Sequence, residues 1–286
     1  MLRDYFADGV LPEVIRGSVT RRIMVLGGTD TGKTTLVEDL ANHLSREGPV
    51  ALVDLDVGQS TVGPPTTVAW TLVEGGFPGR GLLQAGEMAF VGSLSPRGNL
   101  LPALSGAARM VFSAAAACPR ILIDTSGFIE EPAGAVFKQH KVDLLQPDLV
   151  IALQQTEELE PILHSFSHQT RPAVLRLSVP PGVRKRDPEE RAAWRRERFA
   201  AYFGKAVLRE VSLSSVGLRV TRELADLSNF ALRNRIVSLR DDGGRDLALG
   251  VIVEVARKQG NLVIRTPLDG NTPISTVVIG EALSPL

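Results

Sequence analysis

One stretch constrains this chain more than any other: Gly27-Gly28-Thr29-Asp30-Thr31-Gly32-Lys33-Thr34-Thr35. It follows the apolar run Ile23-Met24-Val25-Leu26 and precedes Leu36-Val37-Glu38-Asp39-Leu40-Ala41, whose apolar residues have helical spacing. Strand, glycine-rich loop and helix together form the setting in which successive backbone N–H groups converge on phosphate oxygens. Glycine lets the chain turn that tightly, and the positive end of a helix starting near Lys33 acts on the same point. In such a loop Lys33 would reach the β- and γ-phosphates, and the Thr34 hydroxyl would ligate Mg²⁺. Residues 27–35 are therefore expected to bind a nucleoside triphosphate.

From Arg22 onward the pattern alternates between strand and helix. Strands are expected at 23–26, 50–53, 68–72, 121–124, 149–153 and 173–177, with helices at 33–46, 102–117, 134–144 and 157–164. Near-continuous apolar strands separated by helices imply an α/β fold: a mostly parallel sheet covered on both faces, of the P-loop NTPase type. After about residue 205 the runs shorten and become β-branched, at 235–239, 249–255, 262–264 and 276–279. They are split by Asp241-Asp242-Gly243-Gly244, Lys258-Gln259-Gly260-Asn261 and Asp269-Gly270-Asn271, which implies a small β-rich unit. The expected organisation is a lead-in over 1–18, a P-loop domain over 19–205 and a β-rich domain over 206–286. With 44% hydrophobic and 22% charged residues the chain can bury a full core. Its 32 basic and 32 acidic residues balance, so any nucleic-acid contact must be a local patch. Cys118 is the single cysteine, which excludes an internal disulfide and a multi-cysteine zinc site. Charge at Arg3 and Asp4 speaks against an export signal, and no run of about 18 uninterrupted apolar residues occurs. The expectation is a cytoplasmic protein without a membrane span.

Three further stretches carry chemistry. Asp54-Leu55-Asp56-Val57-Gly58-Gln59 lies at the carboxyl end of the strand after the P-loop helix, where ligands of such sheets bind. Its two carboxylates are expected to leave the strand in different directions, one toward Mg²⁺ or its water and one toward an incoming hydroxyl. Asp124-Thr125-Ser126-Gly127-Phe128 ends another apolar run, so Asp124 competes with Asp54 and Asp56 for the metal. From Arg184 to Arg198 arginines crowd together, with Asp187 and Pro188 suited to start a helix. Arg191, Arg195 and Arg198 would share one face of it, forming a lid over phosphates or a solvated, salt-bridged surface. Beside a P-loop the lid is preferred. The four histidines show no metal spacing, and Trp194 suits packing better than base stacking.

Guanine-specific P-loop proteins carry an Asn-Lys-x-Asp motif, which is absent, and Leu26 stands where the second lysine of the partitioning ATPases would be. The combination instead resembles the polynucleotide 5′-hydroxyl kinase family. That family includes the kinase subunit of the pre-mRNA cleavage factor, the ribosomal RNA processing kinases and shorter archaeal and bacterial enzymes. Gly27–Thr35 matches its phosphate loop apart from Gly28, and Asp54–Gln59 is similar to its D-x-D-x-G-Q signature. Thr125-Ser126-Gly127-Phe128 resembles its T-x-G-W clasp, with Phe128 in place of Trp. Arg186 and Arg191 resemble its paired lid arginines, and Tyr202-Phe203 the aromatic pair that follows.

The resemblance runs from about residue 20 to 205, without the large N-terminal β domain of the eukaryotic members, which favours a stand-alone enzyme. It implies a SIMIBI-type kinase moving the γ-phosphate of ATP, or another NTP, to the 5′-hydroxyl of RNA or DNA. In that scheme Lys33 and Thr34 hold triphosphate and Mg²⁺, and Asp56 is the base, with Asp54 and Gln59 supporting metal or water. Thr125, Ser126, Gly127 and Phe128 clasp the terminal nucleotide, while Arg186 and Arg191, with Arg195 beside them, neutralise the moving phosphate. A nucleotide-binding scaffold in an RNA-processing complex and a small-metabolite kinase remain as alternatives. Protein partners are not legible.

Overall fold

Side chains alternate across a strand. In β1 (Arg22–Gly27) this sends Ile23 and Val25 to one face and Met24 and Leu26 to the other, and all four are fully buried. Such a strand belongs at the centre of a sheet covered on both sides. The computed structural model describes residues 2–6, 10–80, 83–221, 229–256 and 260–285, and places β1 there.

A short 3₁₀ turn (Leu2–Asp4) and α1 (Glu13–Arg16) lead into β1, followed by α2 (Lys33–Leu44), β2 (Val50–Leu55), β3 (Thr67–Val73) and β4 (Glu87–Phe90). Next come α3 (Leu100–Ala117), β5 (Ile121–Thr125), α4 (Glu131–Leu145), β6 (Leu149–Gln154), α5 (Glu160–Leu163), β7 (Ala173–Ser178) and α6 (Pro188–Phe203). These seven strands form one sheet in the order β4-β3-β2-β5-β1-β6-β7. The pairs β1–β5, β1–β6, β2–β5 and β6–β7 are parallel, and β3 and β4 add an antiparallel edge. The fold is thus the expected mostly parallel P-loop sheet. Leu36, Leu40 and Leu44 of α2 and Phe199 and Phe203 of α6 pack on one face. Ala103, Ala107 and Met110 of α3, with Phe137 and Val142 of α4, pack on the other. By length and composition α3 is apolar enough to cross a bilayer, yet its Ala103, Ala107, Met110, Val111 and Ala114 are buried in this core.

The remainder supplies β8 (Val207–Ser212), β9 (Gly217–Val220), α7 (Asn229–Leu232), β10 (Arg235–Arg240), β11 (Asp246–Ala256), β12 (Asn261–Thr266) and β13 (Thr276–Leu283). They form a second sheet in the order β8-β12-β11-β10-β13-β9, antiparallel except where β9 runs parallel to β13. Part of the turn expected at Lys258-Gln259-Gly260-Asn261 lies outside the described residues. Alternation again divides the labour. Val237, Leu239, Ile252 and Ile264 fill the second sheet's own core, while Ile236, Leu249, Val251 and Val278 join the core that holds Phe199 and Phe203.

Asp246 ties the two sheets together. Its carboxylate has no exposed surface and accepts from Ser238 Oγ, from Arg240 Nε at 2.6 Å, from Arg109 of α3 at 3.2 Å and from the Phe90 N–H of β4 at 3.2 Å. Removing one member of a buried ionic network leaves charge without compensation, here two guanidinium groups. Asp246→Ala is expected to lower unfolding stability by about 3–5 kcal/mol in urea denaturation followed by circular dichroism. A loss below about 1 kcal/mol, the range of an exposed pair, would show that the seam is held elsewhere.

Candidate functional site

The phosphate loop leaves the end of β1 and enters α2 through Gly32, whose φ of +87° is a left-handed conformation that glycine adopts without strain. Gly27 closes β1, and the Gly28 carbonyl accepts from Thr31 Oγ1 at 3.0 Å and from Lys33 Nζ. Lys33 is buried, and burial pulls its ammonium below its ordinary value, against the pull of Asp124, Asp56 and Asp30. Residues Thr29 to Thr35 line one cleft of about 810 Å³. Thr34 Oγ1 donates to Asp124 Oδ2 at 2.8 Å, linking the loop to the end of β5.

The two acids at the end of β2 are placed differently. Residues i and i+2 of a continuing strand share a face; Asp54 and Asp56 separate only because β2 stops at Leu55 and the chain turns. Asp54 sits opposite Asp124 in the β2–β5 register. It is 2% exposed. Its Oδ1 accepts the Asp56 N–H at 2.9 Å, and its Oδ2 accepts the Thr61 N–H at 2.6 Å, the Thr61 hydroxyl at 3.0 Å and the Val62 N–H at 3.0 Å. These four bonds make Asp54 the anchor of the turn after β2. Burial, then the charges of Asp124 and Asp56, raise its carboxyl above the usual range. Asp124 is also raised, by burial, with Lys33 and the Thr34 hydroxyl opposing. Asp56 uses Oδ1 to accept the Gly58 and Gln59 N–H groups, each at 3.0 Å, and Asp56 lines the cleft.

The helix α6 begins with the expected cap: Asp187 accepts from the Glu190 N–H while Glu190 reaches back to the Asp187 N–H. Of the arginines in and just before it, Arg191 meets the phosphate loop and Arg186 the turn after β2. Arg191 pairs with Asp30, and Arg186 donates to Gln59 Oε1 at 3.4 Å. Arg195 lines the same cleft, its guanidinium held below its ordinary value by burial and by Arg191 and Arg196. Arg198 shares that helix face but makes a different contact. Its Nη2 donates to the carbonyls of Thr61 at 3.3 Å and Gly63 at 3.1 Å, and it stands outside the cleft wall. Trp194 lies between Arg186 and Arg198, 6.0 and 5.9 Å from their guanidinium carbons.

The clasp stretch splits as well. The buried Thr125 hydroxyl donates to the Val25 carbonyl at 2.8 Å and fastens β5 to β1. Ser126, Gly127 and Phe128 line the cleft. A Cβ on Gly127 would lie 2.5 Å from Thr29 Oγ1, so only glycine lets the clasp approach the phosphate loop this closely. Arg97, from the loop after β4, stands 5.9 Å above the Phe128 ring, a cation–π contact.

Sequence reasoning missed Lys138 and Lys141 of α4. Lys138 is fully buried and donates to the Ser126 carbonyl at 2.5 Å. Lys141 is buried with its ammonium 4.7 Å from the Phe137 ring centre. Burial pushes Lys138 well below its ordinary value and Lys141 down to about 8. The signal was available: Lys138 and Lys141 fall in the helical stripe of Phe137, Val142 and Leu145.

The cleft thus joins an anion-binding loop, a carboxylate, three arginines and an aromatic arm, a set suited to moving a phosphoryl group between two bound partners. Residues 27–205 match the family model described as the mRNA cleavage and polyadenylation factor CLP1 P-loop. A polyribonucleotide 5′-hydroxyl-kinase of Pyrococcus furiosus is 37% identical over 196 residues, 68% of this chain and 54% of the relative. A protein of the same description from Methanocaldococcus jannaschii is 33% identical over 202 residues, 70% of this chain and 55% of the relative. The chain spans about half the length of these curated relatives. The solved complex of wild-type Clp1p with Pcf11p has the same fold, with a TM-score of 0.72 at 14% identity, covering 95% of this chain and 76% of that one.

The different burial of the two acids gives a test. Asp54→Ala orphans three buried N–H or O–H groups and should cost about 3 kcal/mol or more of stability. Asp56→Ala, at a solvent-facing turn, should cost about 1 kcal/mol. Equal losses in urea melts would remove Asp54 from its role as anchor.

Proposed function

Because this chain belongs to the CLP1 P-loop family, we propose that it is an NTP-dependent polynucleotide 5′-hydroxyl kinase, with RNA the favoured acceptor given how its relatives are described. One observation carries the proposal. Asp56, Lys33, Arg186 and Arg191 line a single cleft together with the Phe128–Arg97 arm. A small-metabolite kinase has no need of an aromatic ring under a guanidinium, whereas a terminal nucleotide can stack on the ring and set a phosphate against the cation.

In this reading the loop N–H groups and Lys33 hold the triphosphate, and the clasp holds the acceptor nucleotide. Ser126 Oγ is buried without a partner among the described residues and lines the acceptor side, so it is free to bond a sugar hydroxyl. The 5′-hydroxyl oxygen attacks the γ-phosphorus and gives its proton to Asp56. The new O–P bond forms as the bond to the β–γ bridging oxygen breaks, and the nucleoside diphosphate leaves. Arg186, Arg191 and Arg195 face the charge that builds on the transferring group. The donor set also fits Mg²⁺, which takes few protein ligands and completes its shell with phosphate and water. Among the described residues no three His, Cys, Asp or Glu side chains gather into a metal cage, while the Thr34 hydroxyl and Asp124 carboxylate lie together at the loop. When bound there the ion would neutralise phosphate charge; Thr34 and Asp124 would hold it.

The test is transfer of label from γ-labelled ATP to RNA and DNA oligonucleotides bearing 5′-hydroxyl or 5′-phosphate ends. Label is expected on 5′-hydroxyl ends alone, with a loss of about 100-fold or more for Lys33→Ala and Asp56→Asn in folded protein. Chelating Mg²⁺ should abolish transfer, and re-addition should restore it. Tight ATP binding with no labelled oligonucleotide would leave a scaffold or a metabolite kinase instead.

A further inference from the structure

The loop between β4 and α3 contributes Leu94, Ser95, Pro96 and Arg97 to the cleft, and it is held from two sides. On the side of Asp56, Gly58 packs so closely that a Cβ there would lie 2.5 Å from the Leu94 carbonyl oxygen. On the other side stands β13 of the second sheet. β9 pairs with β13 as far as Ile279, whose carbonyl also accepts the Thr221 N–H at 3.0 Å. Beyond that point the edge of β13 receives the loop. The Ala282 N–H donates to the Gly92 carbonyl at 2.9 Å, and a Cβ on Gly280 would lie 2.7 Å from the same oxygen.

The loop ends in a turn that carries Arg97. The Asn99 N–H donates to the Pro96 carbonyl at 2.8 Å, with Arg97 and Gly98 between them and Gly98 at a φ of +75°. Glycine supplies the left-handed residue that the third place of such a turn requires. Asn99 then starts α3, where an asparagine oxygen ordinarily accepts a backbone N–H of the first helical turn. Here the side chain makes no such cap. It is 1% exposed, its Nδ2 donates to Glu281 Oε2 at 2.8 Å, and its Oδ1 has no partner among the described residues. A helix cap has been given up for a bond to the second sheet. Gly280, Glu281 and Ala282 of β13 thus grip the loop at both its ends.

Resting on the kinase reading above, we propose that Glu281 is a positioning residue for the acceptor: through Asn99 it fixes the turn that sets Arg97 over Phe128. The second sheet thereby serves the polynucleotide side of the cleft. The phosphate loop, by contrast, is suspended between β1 and α2. Loss of the Glu281 bond therefore loosens the acceptor arm and leaves the donor side in place.

The experiment measures kcat and the KM values for ATP and for a single-stranded 5′-hydroxyl RNA oligonucleotide. It compares the wild type with Glu281→Ala, Glu281→Gln, Arg97→Ala and the Arg97→Ala/Glu281→Ala double variant. Glu281→Ala should raise the oligonucleotide KM about fivefold, the effect of one lost hydrogen bond, and leave the ATP KM unchanged. Glu281→Gln, which still accepts from Asn99, should return it to the wild-type value. Arg97→Ala should raise the same KM about tenfold. The double variant should go no further, because residues acting through one another do not add. Equal rises in both KM values, multiplied factors in the double variant, or a Glu281→Gln as impaired as Glu281→Ala would each overturn the positioning role. So would an unchanged oligonucleotide KM in Glu281→Ala. A wild type that labels no oligonucleotide overturns the kinase reading and the positioning role with it, a result distinct from the others.

Discussion

A carboxylate shut away from water must have its lone pairs filled or give up its charge. Asp54 meets this demand with four donors, drawn from Asp56, Thr61 and Val62. The consequence is geometric. The chain after β2 is wound round that carboxylate, and the winding sets Asp56 at the cleft edge instead of continuing the strand. A carboxylate shut inside the turn thus decides where the one that lines the cleft will stand.

Beneath the loop, buried acids and lysines face one another: Asp56 and Asp124 act on Lys33, Lys138 and Lys141, and Asp54 on Lys141. Burying an ion is costly unless it is paired or hydrogen-bonded. Lys138 satisfies this by fixing the Ser126 carbonyl and Lys141 by sitting over Phe137. The same lysines that offset the acids therefore hold the clasp and its supporting helix. Phe128 and Phe137 stand 6.1 Å apart, so the aromatic arm of the cleft is continuous with that helix.

The parallel sheet was legible because apolar runs and glycine turns are local signals, as was the cap of α6. The P-loop, the lid arginines and the strand-end acids were legible because each is a motif. Asp54 and Asp56 leave the strand end in different directions, as expected, but which of them lines the cleft, and that the Thr125 hydroxyl fastens β5 to β1, depends on partners outside the motifs. Arg198 shares a helix face with Arg191 and Arg195, yet the loop at 61–63 captures it first. Lys138 and Lys141 went unread, although they fall in the apolar stripe of their helix with Phe137, Val142 and Leu145. These are long-range facts, set by which strand lies beside which.

Loop 61–63 also has a mechanical meaning. Asp54 grips it at Thr61 and Val62 from the sheet side, and Arg198 grips it at Thr61 and Gly63 from the lid helix. The helix is consequently a lever pivoted on the turn that aims Asp56, with Arg191 at its free arm resting on Asp30. The seat of the lid helix and the aim of the Asp56 carboxylate thus depend on the same three-residue turn.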